Sequence, residues 1–224
     1  MQPSIRLEDL IAEQQARRQE LDRHGVYFVG EITDDQAERF SKTLLLMSMA
    51  REGNPNAPIN LYINSGGGSV GAGLAMMQMM DEVRRLYGVK INTTITGYAY
   101  SMGAIVFQAG DRRTMGAYST MMLHSSSWIL SGQDEQIFED YAKLAEHYRR
   151  IVAELFAHRT GLRTARWWER FIYSGRDRFL SSAECLKLQL VDEVPGLNVP
   201  APDSPTQGAI TGGSSDGRGN QPQS

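Results

Sequence analysis

Cysteine and long apolar runs are what this chain most clearly lacks. Cys185 is the only cysteine among 224 residues, which excludes an intrachain disulfide and a CxxC metal or redox motif. No apolar run reaches the roughly 20 residues that a membrane-spanning helix requires. Residues 1–23 are charged throughout and lack the apolar centre of a signal peptide. We therefore expect a cytoplasmic protein that makes no contact with a membrane.

An excess of one charge is also missing. The net charge is −3, and acidic and basic residues are interspersed along the chain, which argues against a nucleic-acid-binding surface. The hydrophobic share of 41% and the charged share of 22% are those of a soluble globular protein. The length is sufficient for one domain with its own hydrophobic core.

Composition divides the chain into three zones. Residues 1–25 are polar and helix-prone, and we predict an N-terminal arm that is helical or has a gating role. Residues 26–194 carry nearly all the apolar periodicity and form the predicted domain. Residues 195–224 are rich in Pro, Gly, Ser, Asp and Gln, and we predict that this tail is disordered because it cannot bury enough apolar surface.

Short β-rich runs alternate with helical patterns inside the domain, which predicts an α/β fold with crossover connections. The predicted strands are Val26–Val29, Ile59–Ile63, Ile91–Ile95 and Met121–Leu123. The predicted helices are Asp34–Arg51, Ser69–Leu86, Met102–Ala109, Asp134–Arg159 and Ala165–Tyr173. The helix that begins at Asp134 has a continuous apolar seam. Two interpretations of this seam stay open: it packs on its own domain, or it contacts another subunit.

Ser101 lies where an apolar β run gives way to a helix of small residues, Met102-Gly103-Ala104. A serine at such a junction can project its hydroxyl clear of the backbone, and the helix N-terminus favours developing negative charge. The alternative is that Ser101 caps the helix, as serine often does. Taken alone, the capping interpretation is favoured.

A glycine-rich turn, Gly66-Gly67-Gly68, follows the apolar strand that ends near Ser65. Turns of this kind at a helix start expose successive N–H groups that can hold an anion. A Walker-type phosphate site is disfavoured because no Gly-Lys-Ser/Thr follows, and no GxGxxG motif is present. A plain tight turn stays open as the alternative.

His124 and Asp177 are the remaining candidates. His124 ends an apolar strand and is placed to act as a base, although an isolated histidine is more often structural. Asp177 stands between Arg176 and Arg178 in a segment, Gly175–Ser181, that we interpret as a polar turn. It either orients an imidazole or pairs with those arginines. Together with Ser101 and the glycine turn, these residues supply the groups that acyl transfer requires.

The motifs appear in the order of a known family, and the chain resembles the proteolytic subunit of the ATP-dependent Clp protease. The matching segments are Leu61–Ser65 with Gly67–Val70, Ser101–Ala104, Met122–His124 with Gly132–Gln133, Arg176–Ser181 with Ala183–Glu184, and Leu190–Asp192. The chain departs from the family pattern at several positions, including Gly66 where proline is usual and Asn60 where an aromatic is common.

The resemblance implies a ClpP/crotonase-like α/β fold of repeated β-β-α units with a protruding handle, made by the helix from Asp134 and the strand before it. It implies a serine endopeptidase with Ser101 as nucleophile, His124 as base and Asp177 as orienting acid. The N–H groups of Gly68 and Met102 would form the oxyanion hole.

The same resemblance implies self-assembly into two stacked heptameric rings that degrade polypeptides delivered by a Clp-type AAA+ unfoldase. No cofactor or metal is expected in this chain, because a partner ATPase would use the ATP. Two alternatives remain: a catalytically silent subunit in a mixed ring with ClpP-like paralogues, and an acyl-CoA enzyme of the crotonase type.

Overall fold

The computed structural model describes residues 7–51, 54, 57–124 and 135–196. Helices and strands alternate along these residues. The elements are α1 Leu7–Arg23, β1 Val26–Val29, α2 Asp34–Met49, β2 Ile59–Ser65, α3 Val70–Tyr87, β3 Ile91–Tyr100, α4 Met102–Gln108, β4 Arg113–Met115, β5 Thr120–Leu123, α5 Glu135–Thr160, α6 Ala165–Ile172, β6 Arg178–Ser181 and α7 Ser182–Lys187. The predicted α/β class is confirmed.

All the predicted helices and strands are present, and most of their ends lie within two residues of the prediction. One prediction was wrong: the segment Gly175–Ser181 was interpreted as a polar turn, but its second half is strand β6. Leu180 is the only buried residue of that strand, so its apolar content is too low to reveal it. Strand β4 and helix α7 were also missed, and both are short.

The sheet has the strand order β1-β2-β3-β5-β6, with β4 paired to β3. All its pairs are parallel except β5–β6, which is antiparallel. Strand β3 continues to Tyr100 because it changes partner along its length. Its first half pairs with β4 at Thr93–Ile95, and its last residues pair with β5 from Tyr98 to Tyr100. The carboxyl ends of β3 and β5 therefore lie side by side.

The two faces of the sheet differ in cover. On one face the side chains of Ile59, Leu61 and Ile63 are fully buried. Helices α2 and α3 pack against each other, and their buried residues, such as Phe40 and Met76, belong to the same hydrophobic core as these strand residues. Side chains on the opposite face alternate with these along each strand, and that face is partly exposed to solvent. Phe28 is 63% exposed there and stacks on Tyr62.

In helix α5, within residues 139–160, the fully buried side chains lie towards the C-terminal end. Val152 and Phe156 are buried, and Phe156 contacts the fully buried Trp168 of α6. Tyr141 and Leu144, on the predicted apolar seam, are 42% and 37% exposed. The last turns of the helix therefore pack on the domain, whereas the turns around Tyr141 and Leu144 are more exposed. The strand expected before this helix falls in residues 125–134, outside the described residues.

The two ends of the domain are attached differently. Arg51 donates to the carbonyl oxygen of Arg23 at 2.6 Å and so ties the end of α1 to α2. At the other end, Leu190–Asp192, which resembles the closing strand of the Clp protease subunits, forms no regular strand. This closing segment, residues 190–193, is joined to β4 by an isolated bridge between Thr114 and Glu193. The boundaries predicted at residues 25 and 194 stay predictions, and the predicted disordered tail lies outside the described residues from 197 onward.

Candidate active site

Ser101 occupies the single residue between β3 and α4 in a conformation that L-residues rarely adopt. Its φ is 52° and its ψ is −124°, a strained combination that persists only where the surroundings enforce it. Its N–H donates to the carbonyl oxygen of Met122 at 2.9 Å. Its side chain makes no capping hydrogen bond to α4. The hydroxyl of Ser101 is therefore directed to a partner outside its own helix.

Small residues allow helix α4 to pack closely against its neighbours. A Cβ added to Gly103 would lie 2.9 Å from the Ser65 Cβ, and one added to Gly73 would lie 2.4 Å from side-chain atoms of Met102. Contacts this short require something to move. Gly103 and Gly73 therefore let α4 approach both the end of β2 and helix α3.

His124 follows β5 directly, and β5 runs parallel to β3 with Tyr100 opposite Met122. This register carries the histidine past the end of its strand to the side of the Ser101 turn. The Nε2 of His124 lies 2.7 Å from the Ser101 Oγ. That separation is within the hydrogen-bond reach required of a nucleophile and its base.

Asp177 reaches the same place through the antiparallel pairing of β5 and β6. Leu123 is opposite Arg178, so the next position along each strand brings His124 and Asp177 together. The Asp177 Oδ1 lies 3.8 Å from the His124 Nδ1, and 59% of the Asp177 side chain is exposed. Among the described residues, its ion-pair partner is His124 rather than Arg176 or Arg178. The distance exceeds a hydrogen bond, as is common in ligand-free sites.

The glycine turn lies directly against the Ser101 junction. Gly67 and Gly68 have φ values of 100° and 142°, and a Cβ on Gly68 would lie 2.1 Å from the carbonyl oxygen of Ile32. Ile32 accepts from the Ser69 N–H and donates to the Gly67 carbonyl. In the described part of the chain, the Gly68 N–H takes no part in this pairing. Two glycines are thus required where the turn crosses Ile32.

The glycine turn packs against the start of α4. A Cβ on Gly67 would lie 3.1 Å from the Met102 nitrogen, so the two backbone segments are in contact. Met102 is the first residue of α4, and the first N–H groups of a helix have no intrahelical partner. Gly67 therefore lies against Ser101 and Met102, and the predicted oxyanion donor Gly68 is the next residue along the same turn.

A small apolar cavity opens beside the Ser101 and His124 side chains. Its volume is about 20 Å³, little more than one water molecule needs. The other residues that line it are Val70, Met102, Ile105, Leu123, Val152, Ile172 and Tyr173. Burial raises the pKa of Tyr173 to about 12 against the lowering effect of Arg149, so the phenol is neutral at physiological pH.

The sequence indicated the reactive groups but missed most of the walls of this cavity. Val152, Ile172 and Tyr173 come from α5 and from the end of α6, far along the chain from Ser101. The apolar periodicity of those helices was the available signal, and it marks burial without showing against what.

In residues 7–51, 54, 57–124 and 135–196, no three His, Cys, Asp or Glu side chains are grouped to hold a metal ion. None of the helices within those ranges has the length and apolarity to cross a bilayer.

The fold and site geometry agree with what the chain matches among known families. Residues 12–197 match the Clp protease family, which covers most of the chain, and the protein therefore belongs to the Clp protease family. A mostly parallel sheet with helices packed on one face is the architecture described above. Membership supports a ClpP-like peptidase at the level of the family.

Proposed function

We propose that this protein is a serine endopeptidase that hydrolyses peptide bonds in unfolded polypeptides. The observation that carries the proposal is the 2.7 Å contact between the Ser101 Oγ and the His124 Nε2 at a strained backbone position. In this mechanism His124 removes the Ser101 proton as the hydroxyl attacks the substrate carbonyl. The C–N bond then breaks, His124 gives its proton to the departing amine, and water activated by His124 hydrolyses the acyl-enzyme to release the acid and free Ser101. Asp177 orients the imidazole and stabilises its charged form.

The N–H groups of Gly68 and Met102 hold the oxyanion that develops on the substrate carbonyl. Removing one such donor typically lowers kcat by about 10²–10³. The apolar cavity beside Ser101 takes the substrate side chain on the acyl side of the scissile bond. Its small volume favours short apolar side chains.

The proposal extends to self-assembly into two stacked heptameric rings that work with a Clp-type AAA+ unfoldase. The uncovered sheet face, with Phe28 and Phe179 63% and 60% exposed, and the more exposed turns of α5 are surfaces of the kind that subunits bury. Native mass spectrometry tests the assembly. The expected mass is fourteen times the 25.0 kDa of one chain, and a monomer across a wide concentration range contradicts it.

A fluorophosphonate probe, with the adduct located by mass spectrometry, tests the chemistry. We expect an adduct at Ser101 that is lost in Ser101→Ala and in His124→Ala, with peptide hydrolysis falling by about 10⁶. His158→Ala, an exposed histidine of α5, is the matched control and should label normally. A folded, assembled protein that gives no adduct contradicts the proposal.

One observation favours a second candidate. The 3.8 Å separation between Asp177 and His124 suits a subunit that is silent by itself, in a ring shared with ClpP-like paralogues. The same labelling, repeated after co-assembly with an active paralogue, separates the two. Labelling of Ser101 in the isolated protein favours the first candidate.

A further inference from the structure

The turn that carries Asp177 is held by the residue that follows it. Arg178 donates from its Nε to the carbonyl oxygen of Phe171 at 2.7 Å and from its Nη2 to the Ser174 Oγ at 3.2 Å. Its guanidinium also lies over the Phe171 ring, with Cζ 4.4 Å from the ring centre. One side chain therefore makes three contacts that close the turn between α6 and β6.

The end of α6 is a firm anchor for these contacts. Trp168 is fully buried and meets the Phe171 ring edge-on at 5.6 Å, and Trp167 stacks on the same ring at 4.8 Å. The Phe171 carbonyl belongs to the last turn of α6, where carbonyl groups lack intrahelical partners. A guanidinium at this point satisfies that oxygen and interacts favourably with the helix dipole.

Asp177, by contrast, has little to hold its own side chain. Its carboxylate is 59% exposed, and its distance of 3.8 Å from His124 is too long for a hydrogen bond. The position of the carboxylate is therefore set by its backbone. That backbone is attached to β5 through the Leu123–Arg178 pair and to α6 through the side chain of Arg178.

We propose that Arg178 is a positioning residue for Asp177. By clamping the turn to the end of α6, it sets how closely the carboxylate approaches His124. This role rests on the proposed peptidase function. A lysine has no planar fork and cannot reproduce the stacking together with both hydrogen bonds, so the inference concerns the guanidinium and not merely a positive charge.

The test is the rate of fluorophosphonate labelling of Ser101 against pH in the full chain. We expect Arg178→Ala to label about 10- to 100-fold more slowly, with Arg178→Lys much closer to the alanine variant than to the wild type. In an Asp177→Asn background, Arg178→Ala should add less than about twofold, because the group that it positions is gone. A full additional effect in that background overturns the proposal.

The direction of the pH shift separates positioning from loss of charge. Removing a positive charge near His124 favours the protonated imidazole, whereas moving Asp177 away disfavours it. We expect the midpoint of labelling against pH to fall in Arg178→Ala. A midpoint that rises contradicts the positioning role. Arg170→Ala, which removes an exposed arginine from the last turn of the same helix, is the control and should label within about twofold of the wild type.

Two further measurements keep the outcome decisive. If Arg178→Ala does not fold, Phe171→Leu removes the ring but leaves the carbonyl acceptor, and a smaller fall in the same midpoint is expected. If the wild type is not labelled at all, the proposed function fails, and an NMR titration of His124 decides the positioning role. A lower His124 pKa in Arg178→Ala, absent from the Asp177→Asn background, supports it, and an unchanged value overturns it.

Discussion

Two acid–base pairs in this protein are built in opposite ways. Arg113 and Asp192 join β4 to the closing segment through contacts of 2.6 Å and 3.2 Å, and the Asp192 carboxylate also accepts from the Arg113 N–H at 2.7 Å. The Arg113 side chain is 5% exposed. His124 and Asp177 share one contact of 3.8 Å, and Asp177 faces solvent.

The difference shows that the same fold holds the Arg113–Asp192 pair rigidly and leaves the distance between His124 and Asp177 adjustable. Burial raises the pKa of Asp192, but the hydrogen bonds from Arg113 outweigh this and hold the pKa below its usual range. Gln108 binds both Arg113 and the Leu190 carbonyl, so the whole closing segment is fixed. Among the described residues, no comparable set of hydrogen bonds holds the Asp177 carboxylate, so rotation of its side chain on the clamped backbone can bring it closer to His124 when the imidazole acquires a charge.

Asp177→Asn has the largest expected effect on this comparison. We expect the rate of acyl-enzyme formation to fall by about 10⁴, as for loss of an orienting acid in other serine peptidases. The free energy of unfolding should change by less than about 0.5 kcal/mol, because the side chain is exposed. Peptide hydrolysis and urea denaturation measure the two quantities. A large loss of stability would make Asp177 a structural residue instead.

Asp192→Asn should have the opposite effect, because it should lower stability and leave catalysis unchanged. It removes the negative charge that pairs with the buried Arg113 guanidinium, at a cost of about 3 kcal/mol. This is the low end for a broken buried pair, because Gln108 still binds Arg113 and Asp192 itself is 39% exposed. Activity per folded molecule should be unchanged. Glu193→Gln, which breaks the neighbouring exposed pair with Arg112, is the control and should cost less than about 1 kcal/mol.

The same pair predicts a pH dependence of stability. The pKa of Asp192 in the folded protein lies below its ordinary value of 3.8, so the carboxylate contributes fully above that value. Its contribution is lost as the pH falls through the lowered pKa. Urea titrations between pH 2 and pH 6 should therefore show a smaller acid-induced loss of stability in Asp192→Asn than in the wild type. Equal losses would show that other carboxylates dominate acid unfolding.

The smallest expected effect concerns the backbone of Ser101. At a φ of 52°, glycine relieves strain that alanine retains, so Ser101→Gly should be more stable than Ser101→Ala by about 1 kcal/mol. Ser41, in the middle of α2, is the matched control. There the glycine variant should be the less stable of the two by about 0.5–1 kcal/mol. Thermal unfolding compares all four, and the same sign at both positions would contradict strain at Ser101.

Local signals were sufficient to predict much of this structure. The glycine turn, the Ser101 junction and the amphipathic helices depend on residues close together in the chain, and their patterns could be recognised directly. Strand β6 could not be recognised, because its place depends on pairing with β5 across α5 and α6. The resemblance grouped Asp177 with His124, but the register that brings them together is a long-range property that no local pattern records.

The antiparallel pairing of β5 with β6 also has a consequence for synthesis. A ribosome releases Ser101 and His124 well before Asp177, and N-terminal segments generally fold first. On the proposed mechanism, a nascent chain that still lacks β6 has its serine and imidazole but no carboxylate beside them. Full reactivity therefore waits until β6 has emerged.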